Sequence, residues 1–292
     1  MQERRLELMV EQEQKVDVLL RRQLGCSSAV IRTAKGYEDG ILLDGAHATT
    51  ADIAKPGQML SILISDRENG DLETASGPVE LAYEDRDLLV VNKAAGVAVH
   101  PGPGHHKDTL GNFLTDYYQK QGIPFIYRPA HRLDRHTSGL MVVARNAHVQ
   151  ELLKHQLHTG SFHRTYLAVC QGVPRQEQGV IDMPIGRADG SVLMRQVRSD
   201  GARAVTHYQL ISTNGQRSLV QLRLETGRTH QIRVHMAWMG HPLVGDFLYG
   251  VEDKTLIDRT ALHSWQLALT QPLTGEEIRL TAPLPQDMES LL

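Results

Sequence analysis

Five runs of strand-forming residues dominate the second half of the chain, at positions 163–171, 191–197, 204–211, 218–224 and 261–269. Parallel neighbours need a crossover of a dozen or more residues, usually a helix, between each pair of strands. These runs do not alternate with helices in that way, and their spacing is that of a mixed or antiparallel sheet. The fold class expected is therefore α+β: a mostly antiparallel sheet with flanking helices. At 292 residues the chain has room for two domains on a prior of roughly 100–200 residues each.

The first part of the chain has a different texture. Residues 1–15 are polar and are expected to be a frayed or helical lead-in. Val16, Leu19, Leu20 and Leu24 recur at helical spacing with Arg21 and Arg22 opposite. Ser27 and Ser28 can cap a second short helix. Strands are expected at 40–43, before the Asp44-Gly45 turn, and at 59–64. The polar stretch 66–77 (DRENGDLETASG) reads as a linker, which divides the chain into residues 1–77 and 78–292. Further on, helices are predicted over 108–119 and 147–159, the second closed by Gly160.

Composition excludes several classes. No apolar run approaches the roughly 20 residues that cross a bilayer, and the charged N-terminus does not look like a signal peptide. Cys26 and Cys170 are two distant thiols without metal-ligand spacing, which suits a reducing cytoplasm and no bound zinc. The glycines of 101–106 lack the Gly-Lys-Ser/Thr order of a phosphate loop. No cofactor or metal is expected. With no long exposed apolar stripe, a monomer is expected. Net charge is −3, but it is unevenly spread. Residues 128–164 hold six Lys and Arg against two acids, and residues 187–233 hold eight arginines against three. Local basic patches matter more than the total when a polyanion binds.

One carboxylate stands inside the first patch. Asp134 lies in His131-Arg132-Leu133-Asp134-Arg135-His136-Thr137-Ser138-Gly139, followed by the apolar run Leu140-Met141-Val142-Val143-Ala144. Cations around a carboxylate favour its ionised form, which suits a nucleophile or electrostatic anchor better than a general acid. A second constellation runs from Glu225 to Gly250, with Gly227 ending a strand and Thr229 as a candidate helix cap. On that helix Ile232, Met236 and Met239 form the expected buried stripe, while His230, Arg233 and His235 face elsewhere. If Arg233 is buried it needs a carboxylate, and Asp134 is the candidate.

The two segments HRLDRHTSGLMVVARN and LETGRTHQIRVHMAWMGHPLVGDFLYG closely resemble the RluA/RluD-type pseudouridine synthases. Asp87–Lys93, Arg164–Val169 and Pro184–Arg187 match as well, so the resemblance covers roughly 80–282. Ala94 departs from the proline usual after the family lysine. The family fold, an antiparallel sheet with a central active-site cleft, agrees with the strand pattern. Residues 1–77 resemble, more loosely, the S-four RNA-binding module, although nine Lys and Arg against thirteen acids in 1–76 depart from its basic face.

The resemblance implies an isomerase that detaches a uracil from its ribose, turns it, and rejoins it through carbon-5. Asp134 then attacks the anomeric carbon or draws off a sugar proton, Arg233 keeps it ionised and aimed, and Tyr166 stacks on the base and is a candidate to assist removal of the carbon-5 proton. Arg132 fills the place vacated by the flipped uridine. Thr137 shapes the loop, and Arg135, His136, Arg187 and Arg228 are candidates for phosphate contacts. The partner implied is RNA, with large-subunit ribosomal RNA favoured over transfer RNA. A retaining glycosidase, the chemical rival, needs a second carboxylate roughly 5 Å from the first. A non-catalytic RNA-binding protein on the same fold has no need of the Asp134, Arg132, Tyr166 and Arg233 set.

Overall fold

The computed structural model describes residues 3–292. Its polar opening is a strand, β1 (Arg5–Met9), followed by β2 (Gln14–Lys15), not the frayed or helical lead-in expected. Leu6 and Leu8 alternate with Arg5 and Glu7, the period of a strand with one covered face. Helices α1 (Val16–Arg22) and α2 (Ser28–Ala34) form where periodicity placed them, and Ser27 Oγ accepts from the Val30 N–H at 3.3 Å. Strands β3 (Ile41–Leu43), β4 (Ala46–His47), β5 (Ile53–Ala54) and β6 (Met59–Leu63) follow. They give an antiparallel four-stranded sheet in the order β1-β6-β3-β4, with β2 and β5 paired separately. Leu19, Leu20, Val30 and Ile31 pack onto Leu60 and Ile62, each such side chain contributing roughly 1.5–3 kcal/mol when fully buried.

The stretch 66–77 has no regular structure, but it is pinned down rather than free. Asp66 pairs with Arg128, and Asn112 Nδ2 donates to the Glu73 carbonyl at 2.7 Å. Gly77 lies so close to the Phe113 ring that a Cβ there would meet it at 2.4 Å. Arg4 reaches across with two 3.0 Å hydrogen bonds to buried Asp87, which also accepts from Gln271 Nε2 at 3.0 Å.

The remainder is built on one large sheet. In chain order come β7 (Leu81–Glu84), β8 (Leu88–Lys93), α3 (Leu110–Gln119), β9 (Arg128–Pro129), β10 (Ser138–Ala144), α4 (Ala147–Thr159) and β11 (His163–Gln171). Then come β12 (Gln178–Asp182), β13 (Ile185–Arg187), β14 (Arg195–Val197), β15 (Val205–Thr213), β16 (Arg217–Leu224) and α5 (Gln231–Trp238). The chain closes with β17 (Leu262–Thr270), β18 (Glu277–Thr281) and α6 (Gln286–Glu289). The ten-stranded sheet runs β12-β15-β16-β11-β17-β10-β8-β7, with β18 added to β17 and β9 to β10. Its pairings are antiparallel except β10 with β17. Of the expected strand at 191–197 only its end, β14, forms, and Val192 and Leu193 are exposed in the turn before it.

Strand β10 explains its own sequence. All seven residues are buried because both faces are covered, which produces a continuous apolar run in place of alternation. Leu140, Val142 and Ala144 pack with Val149 and Leu153 of α4, while Met141 and Val143 pack with Leu110 and Leu114 of α3. At the start of β10, Gly139 (φ +105°) passes so near β17 that a Cβ would fall 2.3 Å from the Ser264 carbonyl oxygen. Glycine is required there, one turn after Asp134.

Candidate active site

Asp134 sits in the loop between β9 and β10, at the edge of a cavity of about 600 Å³. Its carbonyl accepts from the Thr137 N–H at 3.1 Å, closing a turn, and buried Leu133 anchors the loop to the core. A second tie comes from below. Lys93, 2 % exposed, donates from Nζ to the carbonyls of Ala94 (2.8 Å), Val97 (2.9 Å) and Arg135 (3.1 Å). Burial pushes the Lys93 ammonium down to about 7, against the pull of the Asp134 charge. Arg135 is turned away from the cavity, with its Nε on the Gly96 carbonyl at 2.9 Å.

Helix α5 brings Arg233 to the carboxylate, and it is buried nearly all round. Arg233 and His235 are inside along with Ile232 and Met236, so the expected division into a buried stripe and outward polar residues does not hold. The principal partner of Arg233 is one the sequence did not reveal. Its Nε and Nη2 donate to the two oxygens of Asp246 at 2.7 Å each, and Nη1 reaches Asp134 Oδ2 at 3.4 Å. Asp246 is 0 % exposed and also accepts from the Leu248 and Tyr249 N–H groups at 3.0 and 3.2 Å. Burial works against the Arg233 charge, but the hydrogen bonds and charge of Asp246 outweigh it and raise the pKa. The rings of Phe247 and Tyr249 lie 5.5 and 5.1 Å from the guanidinium carbon.

The residue before α5 is His230, not Thr229, and it carries no capping hydrogen bond. His230 takes a left-handed conformation, φ +57°, which is uncommon for a residue with a Cβ, and strained positions of this kind cluster at functional sites. Its Nδ1 lies 2.8 Å from the Tyr249 hydroxyl, which accepts from the Arg195 N–H at 2.9 Å. Its Nε2 lies 3.8 Å from Asp134 Oδ2. Burial pushes the imidazole pKa down, against the pull of Asp134. The loop into α5 is stapled by Gln231, whose Oε1 accepts from the Thr226 hydroxyl (2.8 Å) and the Arg228 N–H (3.0 Å).

Tyr166 enters from β11, buried in the cavity wall. Burial holds its phenol in the protonated form, the Asp134 charge acts the same way, and Arg164 opposes both. Arg132 is exposed at the cavity, Thr137 is buried in its lining, and Arg228 lines it with Nε on the Arg203 carbonyl at 2.9 Å. The structure thus gathers Asp134, Arg233, Tyr166, Arg132, Thr137 and Arg228 around one cavity. Arg135 and Arg187 do not line it, and His136 packs edge-on against Phe247 at 5.6 Å. Among the described residues no group of three His, Cys, Asp or Glu could hold a metal ion.

The site can stabilise one carboxylate beside the buried Tyr166 ring, and the other acids near it are already committed. Glu225 is tied to Arg203 (3.2 Å) and His207 (2.7 Å), and Asp246 has both oxygens committed to Arg233. A family model described as RNA pseudouridylate synthase matches residues 87–238, the span that holds Asp134, Tyr166 and Arg233. The chain belongs to that family. It is an RNA pseudouridine synthase of the RluA/RluD type, an isomerase. An uncharacterized RNA pseudouridine synthase, YjbO of Bacillus subtilis, is 39 % identical over 92 % of this chain and 95 % of its own length. Ribosomal large subunit pseudouridine synthase D of Xanthomonas campestris pv. campestris is 40 % identical over 86 % of this chain and 80 % of its own. Human RNA Pseudouridylate Synthase Domain Containing 1 superposes with a TM-score of 0.59 at 28 % identity, covering 74 % of this chain and 86 % of that one.

Within this synthase, sequence reasoning missed Asp246, His230, Tyr249 and Lys93 as parts of the site. Asp246 was visible in Gly245-Asp246-Phe247-Leu248-Tyr249, where an acid within an apolar stretch could have been matched to Arg233 thirteen residues earlier. Nothing in the local sequence marks the contact of Lys93 with the Arg135 carbonyl, 42 residues away.

Proposed function

We propose that Asp134 is the nucleophile of this synthase and that its target uridine is flipped out of the RNA into the cavity. The reaction breaks the N1–C1′ bond, rotates the uracil and forms a C1′–C5 bond; carbon-5 loses a proton and N1 gains one, so product and substrate are isomers. Asp134 attacks C1′. Arg132 takes the vacated place in the RNA stack, at an unstacking cost of a few kcal/mol, and Tyr166 stacks on the uracil. Arg135, His136, Arg187 and Arg228 meet phosphates and set register rather than base choice.

The observation that carries this reading is the position of Arg233. Asp246 fixes the guanidinium on two sides, and its remaining Nη1 is directed to Asp134 alone. The carboxylate is 24 % exposed, so it meets the cavity while held by an immobile cation. A relative named for the large ribosomal subunit supports large-subunit ribosomal RNA as the substrate. In this reading residues 78–292 are the catalytic domain with the cavity as its central cleft, and residues 1–77 are an S-four-like RNA-binding module. The enzyme works as a cytoplasmic monomer; among the described residues no helix is long and apolar enough to cross a membrane.

The test is Asp134→Asn in a strain lacking the gene. Wild type restores the missing pseudouridines in large-subunit RNA, while Asp134→Asn binds that RNA and restores none. Modification by Asp134→Asn at the wild-type rate would remove Asp134 as nucleophile. Loss of pseudouridine confined to transfer RNA would move the substrate there.

A further inference from the structure

Arg164 stands in the wall of the cavity without a counter-ion. Strand alternation puts it on the same face of β11 as Tyr166, and both line the cavity. The other cations there are accounted for. Arg233 is held by Asp246 and Asp134, Arg203 by Glu225, and Arg228 by the Arg203 carbonyl. Arg132 and Lys154 are exposed, so water solvates them. Arg164 is only partly exposed, and its Nε is shut off from water with no hydrogen-bond partner. Among the described residues no carboxylate forms an ion pair with it.

Folded proteins leave few buried donors unpaired, because each gives up its water without gaining an acceptor. The facing loop does not cap the guanidinium either. It presents Gly227, where even an added Cβ would only touch Nη2 at 3.4 Å. The cavity therefore holds a half-dehydrated cation that has the neutral Tyr166 hydroxyl as a hydrogen-bonding neighbour but no anion, and that lines the space a ligand would enter.

We propose that Arg164 pairs with a phosphate flanking the uridine that is isomerised, so that the substrate supplies the counter-ion the chain omits. This rests on the reading of the cavity as the place where uridine meets Asp134. A phosphate suits the site better than a uracil carbonyl, because only an anion neutralises the charge. A guanidinium also presents paired N–H donors in the plane that two phosphate oxygens match. Such a contact fixes the direction from which the flipped nucleotide enters, and so delivers the sugar carbon to Asp134.

The experiment uses a synthetic RNA hairpin carrying the uridine that sequencing shows to be modified. Two further hairpins replace the phosphate 5′ or 3′ of that uridine with a neutral methylphosphonate. Arg164→Gln should lose about ten- to a hundredfold in kcat/KM on the natural hairpin, through KM, as expected for one charge-assisted contact. Its log Kd against log salt should flatten by about 0.7. One methylphosphonate hairpin should cost wild type a similar factor and leave Arg164→Gln unaffected. The proposal is overturned if wild type ignores both neutral linkages, or if the penalties of variant and linkage multiply at both positions. It is also overturned if Arg164→Gln lowers kcat with KM and salt slope unchanged. Asp134→Asn separates this from the reading beneath it: activity in that variant defeats the nucleophile assignment, while its RNA binding still reports the coupling between Arg164 and the phosphate.

Discussion

Arg233 and Asp246 share two hydrogen bonds of 2.7 Å in a place water does not reach. The pair is an internal support: Asp246 neutralises most of the guanidinium, and the remaining donor is aimed at Asp134. Buried pairs of this kind add little net stability but are costly to break, because the surviving charge is stranded. Asp246→Ala should therefore destabilise the protein by about 3–5 kcal/mol and abolish activity, read by urea unfolding and pseudouridine formation. Normal unfolding with full activity would show that Arg233 needs no support.

Lys93 makes the second support, under the loop. Lys93→Met keeps the length of the side chain but leaves the carbonyls of Ala94, Val97 and Arg135 without their donor. Each buried acceptor left unpaired costs about 1–3 kcal/mol, so a clear fall in the unfolding midpoint is expected. Because Arg135 adjoins Asp134, kcat should fall as well while RNA affinity holds. A variant with wild-type kcat would show that this tie does not position the carboxylate.

Acid should destabilise the fold before most carboxylates are protonated. Burial pushes His131 down to about 3 and His263 down to about 4, and the Arg164 and Arg259 charges push the same way. The unfolded chain takes up these protons near pH 6.5, whereas the folded protein refuses them until far lower. Below pH 6.5 the unfolded state binds more protons, so stability is full above that value and is lost as pH falls toward 4. The melting temperature should drop from pH 7 to pH 5, and His263→Gln should drop less. Equal slopes for wild type and variant would exclude His263 as a contributor.

The contact between Arg4 and Asp87 joins the small sheet to the large one, with Gln271 on the same carboxylate. Arg4→Met should leave Asp87 short of its cation and loosen the N-terminal layer. Limited proteolysis within 66–77 should then speed up, with activity on short RNA hairpins changed little. Unaltered cleavage would mean that Asp66 with Arg128 and the packing of Gly77 hold the layer unaided.

Neighbouring residues along the chain were enough to fix the local elements and to single out candidate site residues that the fold gathers at one cavity. Helical spacing in 16–24 and 147–159, the caps at Ser27 and Gly160, and the strand runs at 163–171 and 218–224 are properties of neighbouring residues, and they appear as expected. Asp134, Tyr166 and Arg233 were legible because they lie in dense motifs. β1 was not, because its strand period spans five residues masked by charge. Which groups pair across the core was settled by packing. Asp246 outcompetes Asp134 for Arg233, Lys93 reaches a carbonyl 42 residues away, and His230 adopts a strained backbone against Tyr249. These choices depend on distances fixed when β10 and β17 come together and α5 is buried, and an ion pair across a folded core leaves no periodicity along the chain.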